Sequence, residues 1–286
     1  MKKILVTGSK GQLGSEIQLQ SEDLTNYEFL FHDIDTLDLT NYTTLEKFLK
    51  INSPDIIINC AAYTAVDKAE EEPEPAYLLN AEVPGKLALL ASKYNSFLIH
   101  ISTDYVFDGR NYRPYKENDL PNPLSVYAKS KFVGEQRVLQ FNDTIVMRTS
   151  WLYSRFGHNF VKTMLRLGKE RDALNIVFDQ TGTPTNARDL AAVIMNITEF
   201  LSRGELIRGI FHFANEGLCS WYDFAKEIID LAGYSCDVLP ITSDKYPLPA
   251  CRPNYTVLDK SKIKKTLNIS IPHWKDSLAE CLKHLI

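Results

Sequence analysis

The chain has 286 residues, 44% hydrophobic and 24% charged, with a formal charge of -4, a length at which one large core begins to divide into two lobes. So weak an acidic excess offers no attraction to a polyanion, which excludes nucleic acid and an anionic membrane as principal partners. Five cysteines with no CxxC pair and six histidines with no HxxxH or HExxH spacing signal neither a disulfide framework nor a metal site.

The N-terminus, Met1-Lys2-Lys3 followed by a short apolar run and Gly8, is too short for a signal segment or a membrane span, so a cytoplasmic protein is expected. Short β-branched runs at 4–6, 29–31, 56–58, 97–101 and 145–147 are continuously apolar, as strands covered on both faces should be. Helical stretches at 12–20, 43–49, 76–94 and 126–139 separate them, which predicts a Rossmann-type, doubly wound α/β sheet. After Arg148 the pattern loosens. Helices are expected near 159–168, 187–201, 221–232 and 274–285, with strands at 175–178 and 210–213 and an ordered proline-rich loop at 240–253.

The first strand runs into Gly8-Ser9-Lys10-Gly11-Gln12-Leu13-Gly14 and then a helix. Three glycines there serve a tight turn, close backbone approach to a pyrophosphate and close helix packing, with the helix N-terminus facing the anion. The acidic cluster Asp33, Asp35 and Asp38 follows at the distance of a ribose-binding carboxylate. Lys10 and Ser9 could meet a 2′-phosphate, so NADPH and NADH are both left open. Residues 1–150 are thus expected to bind a dinucleotide, and 151–286 to form mainly a smaller α/β substrate-binding lobe whose chain returns to the first near 174–215.

The strand at 97–101 ends in Ser102-Thr103-Asp104, and Tyr127 and Lys131 lie farther on at i and i+4 of a helix. Those spacings bring a hydroxyl, a phenol and an ammonium to the carboxyl edge of the sheet, the place for ketone reduction with Tyr127 as proton donor. An ammonium about 4 Å away at an effective dielectric of about 20 is worth roughly 4 kcal/mol, enough to lower a phenol's pKa. The same YxxxK spacing occurs at Tyr112/Lys116, which encloses Pro114, and at Tyr222/Lys226, which follows no glycine turn.

With these motifs the chain resembles the extended short-chain dehydrogenase/reductases, and among them the dTDP-4-dehydrorhamnose reductase family. The matching stretches run in order from 8–14 through 59–70, 102–109, 127–131, 148–151, 159–164 and 182–185 to Arg252-Pro253. The resemblance implies reduction of the 4-keto group of dTDP-4-dehydro-L-rhamnose by NADPH. It makes Tyr127 the proton donor, Lys131 the group that binds the nicotinamide ribose and lowers the tyrosine pKa, and Thr103 a partner of the keto oxygen. It places Gly11, Gln12 and Leu13 at the pyrophosphate, Asp38 and Leu39 at the adenine end, and Ala61, Ala62 and Tyr63 along the cofactor's middle. Asp104 and Trp151 would contact the sugar, Trp151 as an apolar wall for its deoxy carbon. Asn159, Lys162 and Arg252 would lie near the diphosphate or nucleoside. Some members join subunits through magnesium held by carboxylates. Here Glu16 remains but Arg188 stands where a second carboxylate is expected, which points to a monomer or weak homodimer.

Other prominent residues have plainer expectations. His100 reads as a satisfied core histidine, the acidic run Glu70-Glu71-Glu72 with Glu74 as a solvated helix start, and Phe211-His212-Phe213 as core. Two alternatives stand beside the reductase: a related nucleotide-sugar reductase or epimerase, and a non-catalytic regulatory subunit on the same fold.

Overall fold

The computed structural model describes residues 1–286. In chain order the elements are β1 (Lys2–Thr7), α1 (Gln12–Ser21), β2 (Tyr27–His32), α2 (Tyr42–Asn52), β3 (Ile56–Asn59), the short α3 (Lys68–Glu71) and α4 (Pro73–Tyr77), α5 (Val83–Lys93), β4 (Phe97–Thr103), α6 (Val126–Val138) and β5 (Thr144–Thr149). They continue with β6 (Leu152–Tyr153), α7 (Phe160–Glu170), β7 (Ala173–Val177), β8 (Thr181–Gly182), β9 (Thr185–Asn186), α8 (Ala187–Ser202), β10 (Gly209–His212), β11 (Cys219–Ser220), α9 (Trp221–Ala232), β12 (Asp237–Ile241), α10 (Ser261–Leu267) and α11 (Trp274–Leu282).

Six strands form one parallel sheet in the order β10-β5-β4-β3-β1-β2. Successive side chains of a strand face opposite sides, and here each side meets its own helices. Leu5, Ile57, Leu98 and Val146 pack with Leu45 and Leu49 of α2 and Leu87 of α5. Ile4, Val6, Ile58, Ile99 and Met147 pack with Ile17 of α1 and Ile194 of α8. Burial on both faces is why these runs are apolar throughout.

A second hydrophobic cluster joins α7, α9 and α11 around Phe224, Ile228, Trp274 and Leu278. Part of the expected return crossing belongs here: residues 173–177 pair with β12 and not with the main sheet. The exposed Ala173 and Asn175 alternate with buried Leu174, which suits a two-stranded ribbon covered on one side. Within the expected span the return is made by α8 and β10, and α10 joins the same core later through Ile263.

The helix expected at 76–94 is broken into α4, a π-helical turn (Leu78–Glu82) and α5. Pro84 has no amide to donate into the preceding turn, and the helix widens there. No helix is long and apolar enough to cross a membrane.

Candidate active site

The carboxyl ends of β1 to β5 open into one cavity of about 900 Å³. Its walls include the glycine turn, the ends of β2 and β3, the Thr103-Asp104 corner, and Tyr127 and Lys131 of α6. Sheet geometry creates that crevice, because the helices leave the strands in opposite directions on either side of it.

Gly8 takes φ +64, and a Cβ on it would sit 2.6 Å from the amide nitrogen of Ala61. A Cβ on Gly14 would sit 2.4 Å from the carbonyl oxygen of Gly8. Only glycine lets α1 lie this close to the turn. Gly11 is the N-cap of α1 and no side chain caps it, so first-turn amides face the cavity as an anion cradle. Beneath the turn, Thr7 donates to Asn59 at 2.8 Å, and Asn59 meets His100 Nδ1 at 3.1 Å. His100 is fully buried, but its Nε2 has no partner. The satisfied core histidine expected from sequence is therefore only half satisfied.

Beside the turn, Asp33 accepts from the backbone amides of Lys10 at 2.9 Å and Ile34 at 2.8 Å. Asp38 accepts from the amide and hydroxyl of Thr40. Asp33, Asp38, Leu39, Ala61, Ala62 and Tyr63 all line the cavity, as do Gly8, Gly11, Gln12 and Leu13. These residues fit a dinucleotide: a cradle that a Cβ would fill, acidic groups after β2, and the buried, unpartnered hydroxyls of Tyr63 and Thr149.

On α6, Ser125 caps the first turn by accepting from the amide of Ala128, and Glu70 accepts from the amide of Val126 at 2.7 Å. Part of the acidic run is therefore spent on fixing the helix that carries Tyr127, where the sequence suggested a solvated face. Ser102 donates to Glu135, and Glu135 pairs with Arg148 at 2.6 Å, both charged side chains being 1% exposed. Tyr127, Lys131 and Glu135 follow one another at four-residue intervals on one face of α6.

The protonation pattern departs from expectation. Burial pushes the Tyr127 phenol up to about 12, with only a partial offset from the Thr103 hydroxyl. Lys131 does not lower it, because its ammonium donates to the carbonyl of Ile101 at 2.6 Å. Burial instead pulls Lys131 down to about 8, against the opposing charge of Glu135. Burial also raises Asp104 to about 7, and its Oδ2 has no partner. Thr103 donates to Asp104 Oδ1 at 3.1 Å.

Trp151 lines the cavity with φ +46, unusual for a bulky residue, and stacks on Trp221 at 3.6 Å. Arg252 is not brought to the cavity wall. Its guanidinium is held by Asp67 in two hydrogen bonds, at 2.9 and 2.6 Å, which satisfies its charge away from the site. Lys162 does not line the cavity, and Asn159 reaches it indirectly by donating to Gln12 at 3.0 Å. The other two YxxxK tyrosines, Tyr112 and Tyr222, lie off the cavity wall.

Sequence reasoning missed Asn80, which bonds both backbone groups of Tyr63 and the Ser130 hydroxyl, tying the segment after β3 to α6. A lone Asn inside an apolar run was its only signal. His158 and Ile34 on the cavity wall were missed as well, since neither sits in a recognisable spacing.

The family model described as RmlD substrate binding domain matches residues 1–286. A protein named dTDP-4-dehydrorhamnose reductase from Aggregatibacter actinomycetemcomitans is 43% identical over 286 residues, covering 97% of each chain. A crystal structure of such a reductase from Clostridium acetobutylicum superposes with a TM-score of 0.93 at 44% identity over 99% of each chain. One from Bacillus anthracis, in complex with NADP, gives 0.93 at 37% identity, again over 99% of each. By sequence and by fold, the chain belongs to the dTDP-4-dehydrorhamnose reductase family.

Proposed function

We propose that the chain reduces the 4-keto group of dTDP-4-dehydro-L-rhamnose to give dTDP-L-rhamnose, using NADPH. The observation that carries this reading is that one cavity is lined both by the glycine turn and by Thr103, Tyr127 and Lys131. A regulatory subunit would have no use for that trio at the crevice. The relatives' names distinguish this keto sugar from that of a related nucleotide-sugar reductase or epimerase.

Bound along the glycine turn, NADPH supplies the hydride. Tyr127 gives its phenolic proton to the C4 oxygen as that oxygen gains electrons, and Thr103, on turning its hydroxyl away from Asp104, donates a hydrogen bond to the same atom. Lys131 holds the ribose next to the nicotinamide through its ammonium. Asp104 and Trp151 orient the sugar, with Trp151 braced by Trp221 as the wall for the deoxy carbon. Arg252 acts on the substrate only if its pair with Asp67 opens.

We read the chain as a cytoplasmic monomer or weak homodimer. Five unpaired thiols suit a reducing compartment. The Glu16 carboxylate is buried and engaged by Ser154 and Arg155, and Arg188 pairs with Glu280. Purified protein mixed with dTDP-4-dehydro-L-rhamnose and NADPH is expected to consume reduced nicotinamide and yield dTDP-L-rhamnose by NMR. Absence of turnover with that sugar, alongside turnover of another 4-keto nucleotide sugar, would move the assignment to the related reductase.

A further inference from the structure

Trp151 is the one non-glycine residue on the cavity wall with a positive φ. That region is strained for a bulky side chain and persists only where the surroundings over-determine it. Here they do. The Ser150 hydroxyl donates to the carbonyl of Thr183 at 2.6 Å, and the amide of Thr185 donates to the carbonyl of Trp151 at 3.1 Å. The indole is held as firmly as the backbone. It lies so close to Gly182 that a Cβ there would sit 2.6 to 2.8 Å from its Cε2, Cζ2 and Nε1 atoms. It also stacks on Trp221, with ring centroids 3.6 Å and planes 8° apart. Gly182 ends β8 and Trp221 directly follows β11, and these two strands pair with Gly182 opposite Cys219. Ser220 and Asp223 cap α9 reciprocally, which fixes Trp221 at its first position, and Phe160 of α7 packs on Trp221 at 4.7 Å. Neither Gly182 nor Trp221 lines the cavity.

We propose that Gly182 and Trp221 are positioning residues: together they form a slot for the Trp151 indole, and the slot sets how tightly the sugar of the substrate is gripped. The inference deepens the proposed function and rests on its reading of Trp151 as the sugar's wall. A wall free to change rotamer grips poorly, because binding must first order it. The slot orders the indole before the substrate arrives, and the paired strands and capped helix that build the slot are rigid enough to hold the strained backbone at Trp151. The glycine turn and the trio Thr103, Tyr127 and Lys131 stand on other elements. Loosening the slot therefore acts on the sugar and leaves the cofactor's binding as it was.

The test is calorimetric titration of the full chain with NADP⁺, and of the NADP⁺-bound chain with dTDP-L-rhamnose and with dTDP alone, for wild type, Gly182→Ala, Trp221→Ala and Trp221→Phe. Gly182→Ala and Trp221→Ala are each expected to weaken dTDP-L-rhamnose by roughly tenfold, and dTDP and NADP⁺ by no more than about twofold. Trp221→Phe keeps a stacking ring and should recover dTDP-L-rhamnose to within about threefold of wild type. Unchanged NADP⁺ binding certifies that a variant is folded. Loss of all three ligands by Trp221→Ala would mean that the indole holds the fold of its lobe, and Gly182→Ala, which leaves Trp221 in place, then decides alone. Equal weakening of dTDP and dTDP-L-rhamnose in Gly182→Ala, or full sugar affinity in both alanine variants, overturns the slot's role. So does a wild-type chain that binds dTDP-L-rhamnose no better than dTDP. Wild-type turnover of dTDP-4-dehydro-L-rhamnose, measured alongside, separates the two levels: its presence leaves the proposed reaction standing when the slot's role falls, and its absence overturns both.

Discussion

At Tyr127, burial pushes the phenol up to about 12, so it stays protonated throughout the neutral range but is a weaker acid than a free phenol. Its replacement by Phe keeps the ring and removes the proton, so turnover is expected to fall by roughly 10² to 10⁴. Binding of NADP⁺, followed by titration, should change little. Lys131 supplies the pH limit. Its ammonium, brought down to about 8 by burial, is charged below that pH and neutral above it. Catalysis that needs the charge is therefore expected to be level below about pH 8 and to drop about tenfold per unit above it, read as kcat/KM of the free protein. A profile that stays flat to about pH 10 would exclude a role for the ammonium.

The element that matters most is α6, which carries Tyr127 and Lys131 at the cavity and Glu135 one turn deeper. The Glu135–Arg148 pair bolts this helix to β5, and Ser102 adds β4. Removing one partner leaves a buried charge alone, so Glu135→Ala is expected to cost about 3–5 kcal/mol in urea unfolding. A loss below about 1 kcal/mol would mean that water reaches Arg148 and that the pair does not anchor the helix. The main strands were legible in the sequence because burial on both faces leaves no polar position in 4–6 or 56–58. The Tyr127 helix was legible because a strand ending in hydroxyl residues precedes it. The β7–β12 ribbon was not, since its strands are short and half exposed, and neither was the π turn, which depends on Pro84 meeting a helix already committed upstream. At the site, spacing pointed to Tyr127 and Lys131. It could not find Asn80 or the Asp67 partner of Arg252, because both contacts join segments distant in sequence. Nor could it give the direction of the Tyr127 shift, which depends on burial.

Across the whole molecule, pH acts on the fold through its buried ionisable groups. His212 is lowered to about 3 by burial and by Arg148, and His100 is lowered well below its ordinary value, chiefly by burial. Each takes up a proton in the unfolded chain below about pH 6.5 that the folded chain refuses, so stability is lost as pH falls through that value. Asp104, raised by burial to about 7, acts oppositely, since the folded chain holds its proton longer. The two histidines, together with carboxylates held down by cationic partners such as Asp67 and Glu216, outweigh Asp104 and the raised Glu117, so stability should fall as pH drops from about 6 to about 4. Urea midpoints measured across that range check the slope, and a rise in midpoint on acidification would show that the histidines are not neutral in the fold.

The most direct measurement of the central claim is isotopic: NADPH carrying deuterium at the transferable nicotinamide position, incubated with the protein and dTDP-4-dehydro-L-rhamnose, with the product examined by NMR. Deuterium at C4 of the sugar, present with wild type and absent with Tyr127→Phe, is the result expected from a cavity that holds cofactor and ketone together. Unlabelled product, label at another carbon, or undiminished transfer by the Phe variant would contradict it.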